Sequence, residues 1–519
     1  MARIGVAISG GGHRATAWGI GALLALTDME LNSRVVSISS VSGGSIANGV
    51  VAQHGDFSSM DSAALEQAIR PLAHTMASDG LFFFGPATDG WMQRFFVLTG
   101  LFIDLVVALG VAGVAGGRRW APGWWLLVGP VLAGLGWFAA RTFPPRMRAT
   151  VATVLAMAGP ITAAAVAATT GGSSRLRIGL ALLVLLVLTV AAFLVVFRMF
   201  ANRSQVVDRA LAHQHFRGLD GRPTLLSACE SPVHHVFCAS ELQSGDHMYF
   251  SPRLVYGYRI GRGMPGALTL ATTVQCSACL PGAFAPRRLP TAGFGLTRPW
   301  TVEENNPPTI PELVALNDGG VYDNMADQWE QGLEARRDRI GPVQEAAEEL
   351  VVVNASRSLA WRPYGKGLFA NELAGVTKTG SILYDVSTSH RRQALIARFN
   401  AASRLGGLQG ALVNIAQSPY TVPGKFRQNP NEAGERARIA LDALKTLGRT
   451  KAEWQQLALE NARVKTTLAA LTPPVTAALI EHAWVLTVVN LYVILGYGAD
   501  QIANLATLGA PARFEALCS

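Results

Sequence analysis

Charged residues are scarce in this sequence. They make up 15% of its 519 residues, against roughly a quarter in ordinary soluble domains, and the mean hydropathy is positive at +0.27. This scarcity predicts that part of the chain lies in lipid. The net charge of +9 does not indicate nucleic-acid binding, because no run of basic residues is interleaved with aromatic residues.

Cysteine is also rare. Five cysteines in a chain of this length are typical of a reducing compartment without disulfides. Cys276 and Cys279 form a Cys-x-x-Cys pair, but no second pair follows at zinc-site spacing, which favours a buried structural pair over a metal or redox role. The histidine pairs at 213–215 and 234–235 lack a carboxylate or third histidine at helical spacing. No calcium-loop spacing occurs, so we expect no metal and no cofactor.

Two nucleotide-binding motifs are missing or incomplete. No Gly-Lys-Ser/Thr follows the glycines at 10–12, which excludes a Walker loop. The same loop satisfies G-x-G-x-x-G/A through Ala15, but the next predicted strand ends in serines and carries no acidic residue to hold a ribose. The sequence therefore disfavours a dinucleotide site.

Long apolar runs, by contrast, are present in the first half of the chain. Each is about twenty residues long, enough to cross a ~30 Å hydrocarbon core as a helix. They cover residues 95–115, 120–140, 149–170 and 178–197. Tryptophans lie toward the ends of the second run, as interfacial aromatic residues do. We therefore expect a four-helix transmembrane insert at residues 91–203.

An even number of spans places both flanking parts on one side of the membrane. Arginines near the spans are more numerous on that side, which favours the cytoplasm. Asp104, inside the first run, could be functional or could face a neighbouring helix. The apolar segment 475–495 carries Glu481, His482 and Asn490, so we expect a buried or membrane-facing helix there rather than a fifth span.

Outside the insert, short β-branched runs alternate with amphipathic segments. This order predicts an α/β layered domain with a mostly parallel central sheet, interrupted by the all-α insert. Strands are predicted at 4–9, 35–41, 234–240, 254–260, 313–316 and 350–355. The first part of the domain covers residues 1–90 and the second 204–400, and residues 401–519 are predicted to be a C-terminal helical region.

Two polar motifs end predicted strands. Ser42 lies in Ser-Val-Ser-Gly-Gly at a strand-to-helix turn, where the G-x-S-x-G nucleophile elbow would have glycine instead of Ser40. Asp318 follows a short strand and precedes two glycines. Because the carboxyl ends of parallel strands share one edge of a sheet, we expect Ser42 as nucleophile and Asp318 as base to meet there.

Ester hydrolysis also needs hydrogen-bond donors for the oxyanion. Residues without a side chain let backbone N–H groups point at a ligand, and a following helix N-terminus assists them. The candidate donors are Gly10, Gly11 and Gly12, before the first helix, and Gly43, immediately after the nucleophile.

Taken in order, these motifs resemble those of the patatin-like phospholipases. The matching stretches are Ser9-Gly-Gly-Gly-His-Arg14, Ser40-Val-Ser-Gly-Gly44 and Asp318-Gly-Gly-Val-Tyr-Asp-Asn324. Residues 276–284 also resemble the family's Ala-Ser-x-x-x-Pro-x-x-Phe segment, which precedes its Asp-Gly-Gly/Ala. The resemblance covers about residues 1–80 and 215–400, and the apolar insert lies outside it.

The resemblance implies a Ser-Asp dyad without a catalytic histidine. Ser42 would attack the ester and Asp318 would accept its proton, while Asp323 and Asn324 brace the Asp318 turn. Arg14 aligns with an arginine near the phosphate in the cytosolic phospholipases, which suggests a substrate contact. His13 either faces the substrate or is solvated.

The function expected from the sequence is a membrane-anchored serine lipid acyl hydrolase. Its catalytic domain would face the cytoplasm, and membrane lipids would be both its substrate and its surroundings. The alternative from another class is an inactive membrane scaffold or transport-associated protein with a hydrolase fold. The intact Ser42, Asp318 and glycine loop favour the enzyme.

Overall fold

The structure is a computed structural model that describes most of the chain outside the predicted insert. The described residues are 2–81, 203–218, 220–281, 284–302, 309–356, 371–405 and 407–519. The chain divides into two units, Met1–Phe82 with Ser204–Ser519, and Phe83–Arg203. Nearly all described residues belong to the first unit. The four predicted spans and Asp104 lie outside the described residues.

Ten strands of the first unit form one sheet. In chain order they are β1 Ile4–Ile8, β2 Val35–Ser40, β3 His234–Glu241, β4 His247–Ser251, β5 Leu254–Gly257, β6 Gly261–Gly263, β7 Arg287–Pro290, β8 Leu313–Asp318, β9 Glu349–Asn354 and β10 Gln409–Asn414. The main order is β10-β9-β1-β2-β3-β4-β5-β6. The strands from β10 to β3 are parallel, and β4, β5 and β6 continue the sheet antiparallel.

Helices cover the sheet, so the unit is a mixed α/β fold with a parallel central region, as the sequence predicts. The described helices are α1 His13–Asp28, α2 Gly43–Gln53, α3 Ser62–His74, α4 Arg203–Gln214, α5 Leu270–Ser277, α6 Gln328–Gln331, α7 Leu333–Ile340, α8 Asn371–Leu405, α9 Thr421–Phe426, α10 Glu432–Leu444, α11 Lys451–Arg463, α12 Pro473–Leu495, α13 Ala499–Ala503, α14 Leu505–Leu508 and α15 Pro511–Cys518. Strand β10 lies in the region predicted to be helical and extends the parallel region by one strand.

Strand β8 does not join the parallel set. It pairs antiparallel with β3, with Asp318 opposite Ala239, whereas β2 pairs with β3 only as far as Ser40, opposite Phe237. Because β4 occupies the other edge of β3, β2 and β8 must pair with the same edge of β3. Their carboxyl ends therefore face each other. The two ends are separated by about two residues of β3, or roughly 7 Å. The expectation that Asp318 arrives on a parallel strand is wrong, and an antiparallel approach brings it to the same place.

One helix among the described residues, α12, is long and apolar enough to cross a membrane, and 83% of its most apolar stretch is buried. It packs on α1 so closely that a Cβ added to Gly21 would lie 2.3 Å from the Ile480 carbonyl oxygen. It also reaches the sheet, where Asn490 Nδ2 donates to Leu412 O of β10 at 3.0 Å. Of the two alternatives predicted for this helix, buried or membrane-facing, the structure supports burial. Its apolar residues pack against α1 on one side and the sheet on the other.

Candidate active site

Ser42 occupies a sharp turn between β2 and α2. Its backbone has φ 52° and ψ −124°, a conformation that L-residues avoid at a cost of about 1–3 kcal/mol. A Cβ added to Gly43 would lie 2.0 Å from Gly12 O, and a Cβ added to Gly44 would lie 2.6 Å from Ile8 O. The two positions after Ser42 must therefore be glycine, and the elbow packs directly against the glycine loop and the end of β1.

The serine that replaces the first elbow glycine is part of a buried polar network. Ser40 Oγ accepts hydrogen bonds from Ser45 Oγ at 3.0 Å and from Asn48 Nδ2 at 2.9 Å, and donates to Val236 O at 3.2 Å. His235 Nδ1 donates to Asn48 Oδ1 at 2.7 Å. Burial lowers the pKa of His235 to about 3, so this histidine is neutral. The hydroxyl of Ser40 is accommodated because it is fully hydrogen-bonded.

Ser277, at the end of α5, accepts hydrogen bonds from the backbone of the nucleophile. The Ser42 N–H donates to both Ser277 O and Ser277 Oγ, each at 3.1 Å. Ser277 Oγ also donates to Cys238 O at 2.7 Å and lies 2.8 Å from Ser45 Oγ. We did not predict this role from the sequence. The available signal was the serine in the segment at 276–284.

Asp318 lies at the end of β8, buried beside the elbow. Its N–H donates to Cys279 O at 3.0 Å, and its Oδ1 accepts from the Gly320 N–H at 2.8 Å. Burial raises its pKa to about 6, opposed by the Ser42 hydroxyl and the Gly320 N–H. Oδ2 has no partner of good hydrogen-bond geometry among the described residues, yet the Ser42 hydroxyl is close enough to lower the pKa. The structure thus brings the two predicted dyad residues together.

Asn324 connects the Asp318 turn to the glycine loop. Its backbone carbonyl oxygen accepts from the Gly10 N–H at 3.0 Å, and its side-chain Nδ2 donates to Ser356 Oγ at 2.6 Å. A Cβ at Gly10 would lie 2.4 Å from Asn324 Oδ1 and 3.0 Å from Ser42 Cβ. Asn324 therefore holds the loop against the nucleophile, in addition to its expected place in the turn.

The predicted oxyanion donors divide into two groups. The Gly10 N–H is already bonded, as described, whereas the N–H groups of Gly11, Gly12 and Gly43 have no acceptor among the residues that the structure describes. Thr16 Oγ1 ties the two loops together by donating to Gly43 O at 2.7 Å and to Gly12 O at 3.2 Å. Three N–H groups without an acceptor in the described ranges therefore lie at the N-termini of α1 and α2, where the helix dipoles favour negative charge.

A segment from the far end of the chain, residues 464–471, lies across the glycine loop. We call it the strap. Thr467 O accepts from the His13 N–H at 2.8 Å, and a Cβ at Gly12 would lie 2.5 Å from the same oxygen. The loop is therefore enclosed between the elbow on one side and the strap on the other.

The strap also holds the side chains of His13 and Arg14. His13 is fully buried and its Nδ1 donates to Ala469 O at 3.0 Å. Burial lowers its pKa to about 4, opposed by that carbonyl, so the alternative of a solvated His13 is wrong. Arg14 is buried and its Nη1 donates to Val464 O at 2.6 Å. A substrate contact by either residue stays a prediction.

Metal-binding side chains are not clustered in the part of the chain that the structure describes. No group of three or more His, Cys, Asp or Glu residues there could hold a metal ion. All five cysteines are buried free thiols. Burial raises the pKa of Cys276 and of Cys279, so both are neutral near pH 7 and neither is a ready nucleophile.

The sequence matches no family model and no curated protein. Among solved structures, the crystal structure of VipD from Legionella pneumophila is similar at 12% identity. The alignment covers 99% of this chain and 89% of that chain, with a TM-score of 0.25. A likeness at that score supports no argument about the site or its activity.

Proposed function

We propose that this chain is a serine hydrolase of lipid carboxylic esters, anchored in a membrane and facing the cytoplasm. The observation that carries the proposal is the pairing of a strained Ser42 with a buried Asp318, beside three backbone N–H groups that have no acceptor within the described part of the chain. A base works best when its pKa lies near the working pH. The Asp318 pKa of about 6 is close to neutral pH. The apolar insert supports the membrane assignment, and the motif resemblance to patatin-like phospholipases supports the choice of lipid esters.

In the first half-reaction, Ser42 Oγ attacks the ester carbonyl carbon and its proton passes to Asp318. The carbonyl oxygen becomes an oxyanion, which the N–H groups of Gly11, Gly12 and Gly43 would stabilise. Collapse of this tetrahedral species breaks the ester bond. The alcohol leaves with the proton from Asp318, and the acyl group stays on Ser42.

In the second half-reaction, water replaces the alcohol. Asp318, ionised again, accepts a proton from water as the oxygen attacks the acyl-enzyme carbonyl. The same N–H groups stabilise the second oxyanion. The Ser42–acyl bond breaks, the proton on Asp318 returns to Ser42, and a fatty acid is released. In each half-reaction Asp318 acts first as base and then as acid, and no histidine is required.

A fluorophosphonate probe tests the nucleophile directly. We expect purified full-length protein to be labelled, and Ser42→Ala to abolish labelling and ester hydrolysis. Ser33→Ala is the matched control, because its hydroxyl is exposed and donates to a local carbonyl, that of Glu30. Labelling that survives Ser42→Ala would overturn the assignment. A wild-type protein that neither reacts nor hydrolyses any lipid ester would support the scaffold alternative.

A further inference from the structure

The segment that follows Asp318, residues 319–328, contacts three other parts of the candidate site. We call it the base segment. Its hydrogen bonds to those parts run from the Gly320 N–H to Asp318 Oδ1 at 2.8 Å, from the Gly10 N–H to Asn324 O at 3.0 Å, and from Ser39 Oγ of β2 to Ala326 O at 2.8 Å. A displacement of the base segment would therefore move both the base and the glycine loop relative to the nucleophile.

Asp323 is fully buried at the centre of the base segment. Its N–H donates to Gly319 O at 3.0 Å, which closes the turn after β8. Its carboxylate accepts from the Met325 N–H at 3.0 Å and from the Gln328 N–H at 2.9 Å. Between these two donors, Ala326 has φ 59°, a left-handed conformation that L-residues avoid. The base segment therefore depends on the Asp323 carboxylate to keep its conformation.

Arg391 of α8 contacts this carboxylate and a second one. Its Nε lies 3.2 Å from Asp323 Oδ1, and its Nη2 lies 3.2 Å from Asp327 Oδ1. The two carboxylate side chains are 0% and 1% exposed. Burial and then the charge of Asp323 raise the pKa of Asp327, whereas Arg391 lowers it. Loss of the guanidinium would leave two buried carboxylates that repel each other without a cation in contact.

We propose that Arg391 is a positioning residue for Asp318: its charge balances the two buried carboxylates of the base segment and so keeps the base beside Ser42. This inference rests on the proposed function. A guanidinium suits the role because its planar fork contacts two acceptors at once, whereas a lysine ammonium is a single point charge. Arg391 acts on the reaction through Asp323 and the turn after β8.

The first test is kinetic and counts only folded sites. The kcat on a short water-soluble ester is measured per serine that a fluorophosphonate labels at completion. We expect Arg391→Gln to lower kcat at least tenfold while KM stays within twofold, and Arg391→Lys to lower kcat less. Asp327→Asn added to Arg391→Gln removes one of the two carboxylates, and it should restore kcat to within threefold of the wild type.

Arg398→Gln is the matched control for this test. Arg398 also lies on α8, and its exposed guanidinium donates to Gln331 Oε1 at 2.9 Å. We expect its kcat to stay within twofold of the wild type. An unchanged kcat for Arg391→Gln would overturn the proposal, since a purely structural ion pair would lower Tm alone. A loss of kcat that Asp327→Asn does not restore would also overturn it.

The second test does not require catalysis. Burial raises the pKa of Asp318 to about 6, so Asp318→Asn should raise Tm at pH 7.5 by removing a buried charge. If Arg391→Gln releases the base segment, water reaches Asp318, and this gain in Tm should fall by at least half. The effects of substitutions at positions that do not interact usually add, so Arg398→Gln should leave the gain unchanged. An equal gain in all three backgrounds would overturn the proposal. If the wild type hydrolyses no ester, the proposed function fails, while this measurement still decides the role of Arg391.

Discussion

Replacement of Asp318 by asparagine should destroy activity and stabilise the fold at the same time. Asparagine keeps an oxygen for the Gly320 N–H, which is bonded to Asp318 Oδ1 at 2.8 Å, and it has nearly the same volume. It cannot accept a proton from Ser42. The substitution therefore removes the base and the buried charge together while leaving the turn after β8 intact.

The magnitude follows from the pKa of the buried carboxyl. Burial raises the pKa of Asp318 from its ordinary value of 3.8 to about 6, and each pH unit of difference corresponds to about 1.4 kcal/mol. The folded state binds this proton more tightly than the unfolded chain does. The contribution to stability is thus fully present below about pH 4 and is lost as the pH rises through about 6, a total of about 3 kcal/mol.

Thermal unfolding with a thiol-reactive dye measures this difference, because the five native cysteines are buried in the folded chain. A unit of about 400 residues unfolds with an entropy near 0.8 kcal/mol/K, so we expect Asp318→Asn to raise Tm by about 3–4 °C at pH 7.5. The gap should shrink as the pH is lowered toward 4. A variant that is less stable at pH 7.5, or a gap that does not change with pH, would refute the reasoning.

Three further predictions follow from the same geometry. Hydrolysis of a soluble ester should rise about tenfold per pH unit below about pH 6 and level off above it as Asp318 ionises; a flat profile from pH 5 to 8 would exclude Asp318 as the base. Ser277→Ala should lower kcat about tenfold while KM stays within twofold, because the Ser42 N–H loses its side-chain acceptor; steady-state kinetics would show an unchanged kcat if the bond is dispensable. Gly43→Ala should abolish probe labelling and lower Tm, because its Cβ would lie 2.0 Å from a loop carbonyl. The matched change Gly424→Ala, which meets nothing within 4 Å, should alter neither, and equal effects would contradict the packing argument.

The local part of this fold could be predicted from the sequence. A β-branched run, three glycines and an alanine-rich stretch predict β1, the loop and α1, and the structure has them at Ile4–Ile8 and His13–Asp28. The meeting of Ser42 with Asp318 could also be predicted. The antiparallel direction of β8 could not be predicted. It depends on β3 continuing past Phe237, the residue that pairs with Ser40 at the end of β2, and no local sequence pattern indicates this.

Two features of the fold depend on tertiary contacts that leave little trace in a sequence. Strand β10 reads Gln-Gly-Ala-Leu-Val-Asn, a short stretch with glycine that is typical of a loop, and it becomes a strand because β9 offers an unpaired edge. The strap binds His13 mainly through backbone carbonyls. Every residue has a carbonyl group, so the side chains of residues 464–471 gave no signal of this role.

The strap has a consequence for how the protein is made. Synthesis runs from residue 1, so the glycine loop and Ser42 are complete before the apolar runs at 95–197, whereas Asp318 and the strap follow much later. If those runs enter a membrane as they are made, the nascent chain is anchored long before the base and the carbonyls that enclose the loop exist. On the proposed function, the order of residues along the chain would let the site be completed only after the predicted spans have been synthesised.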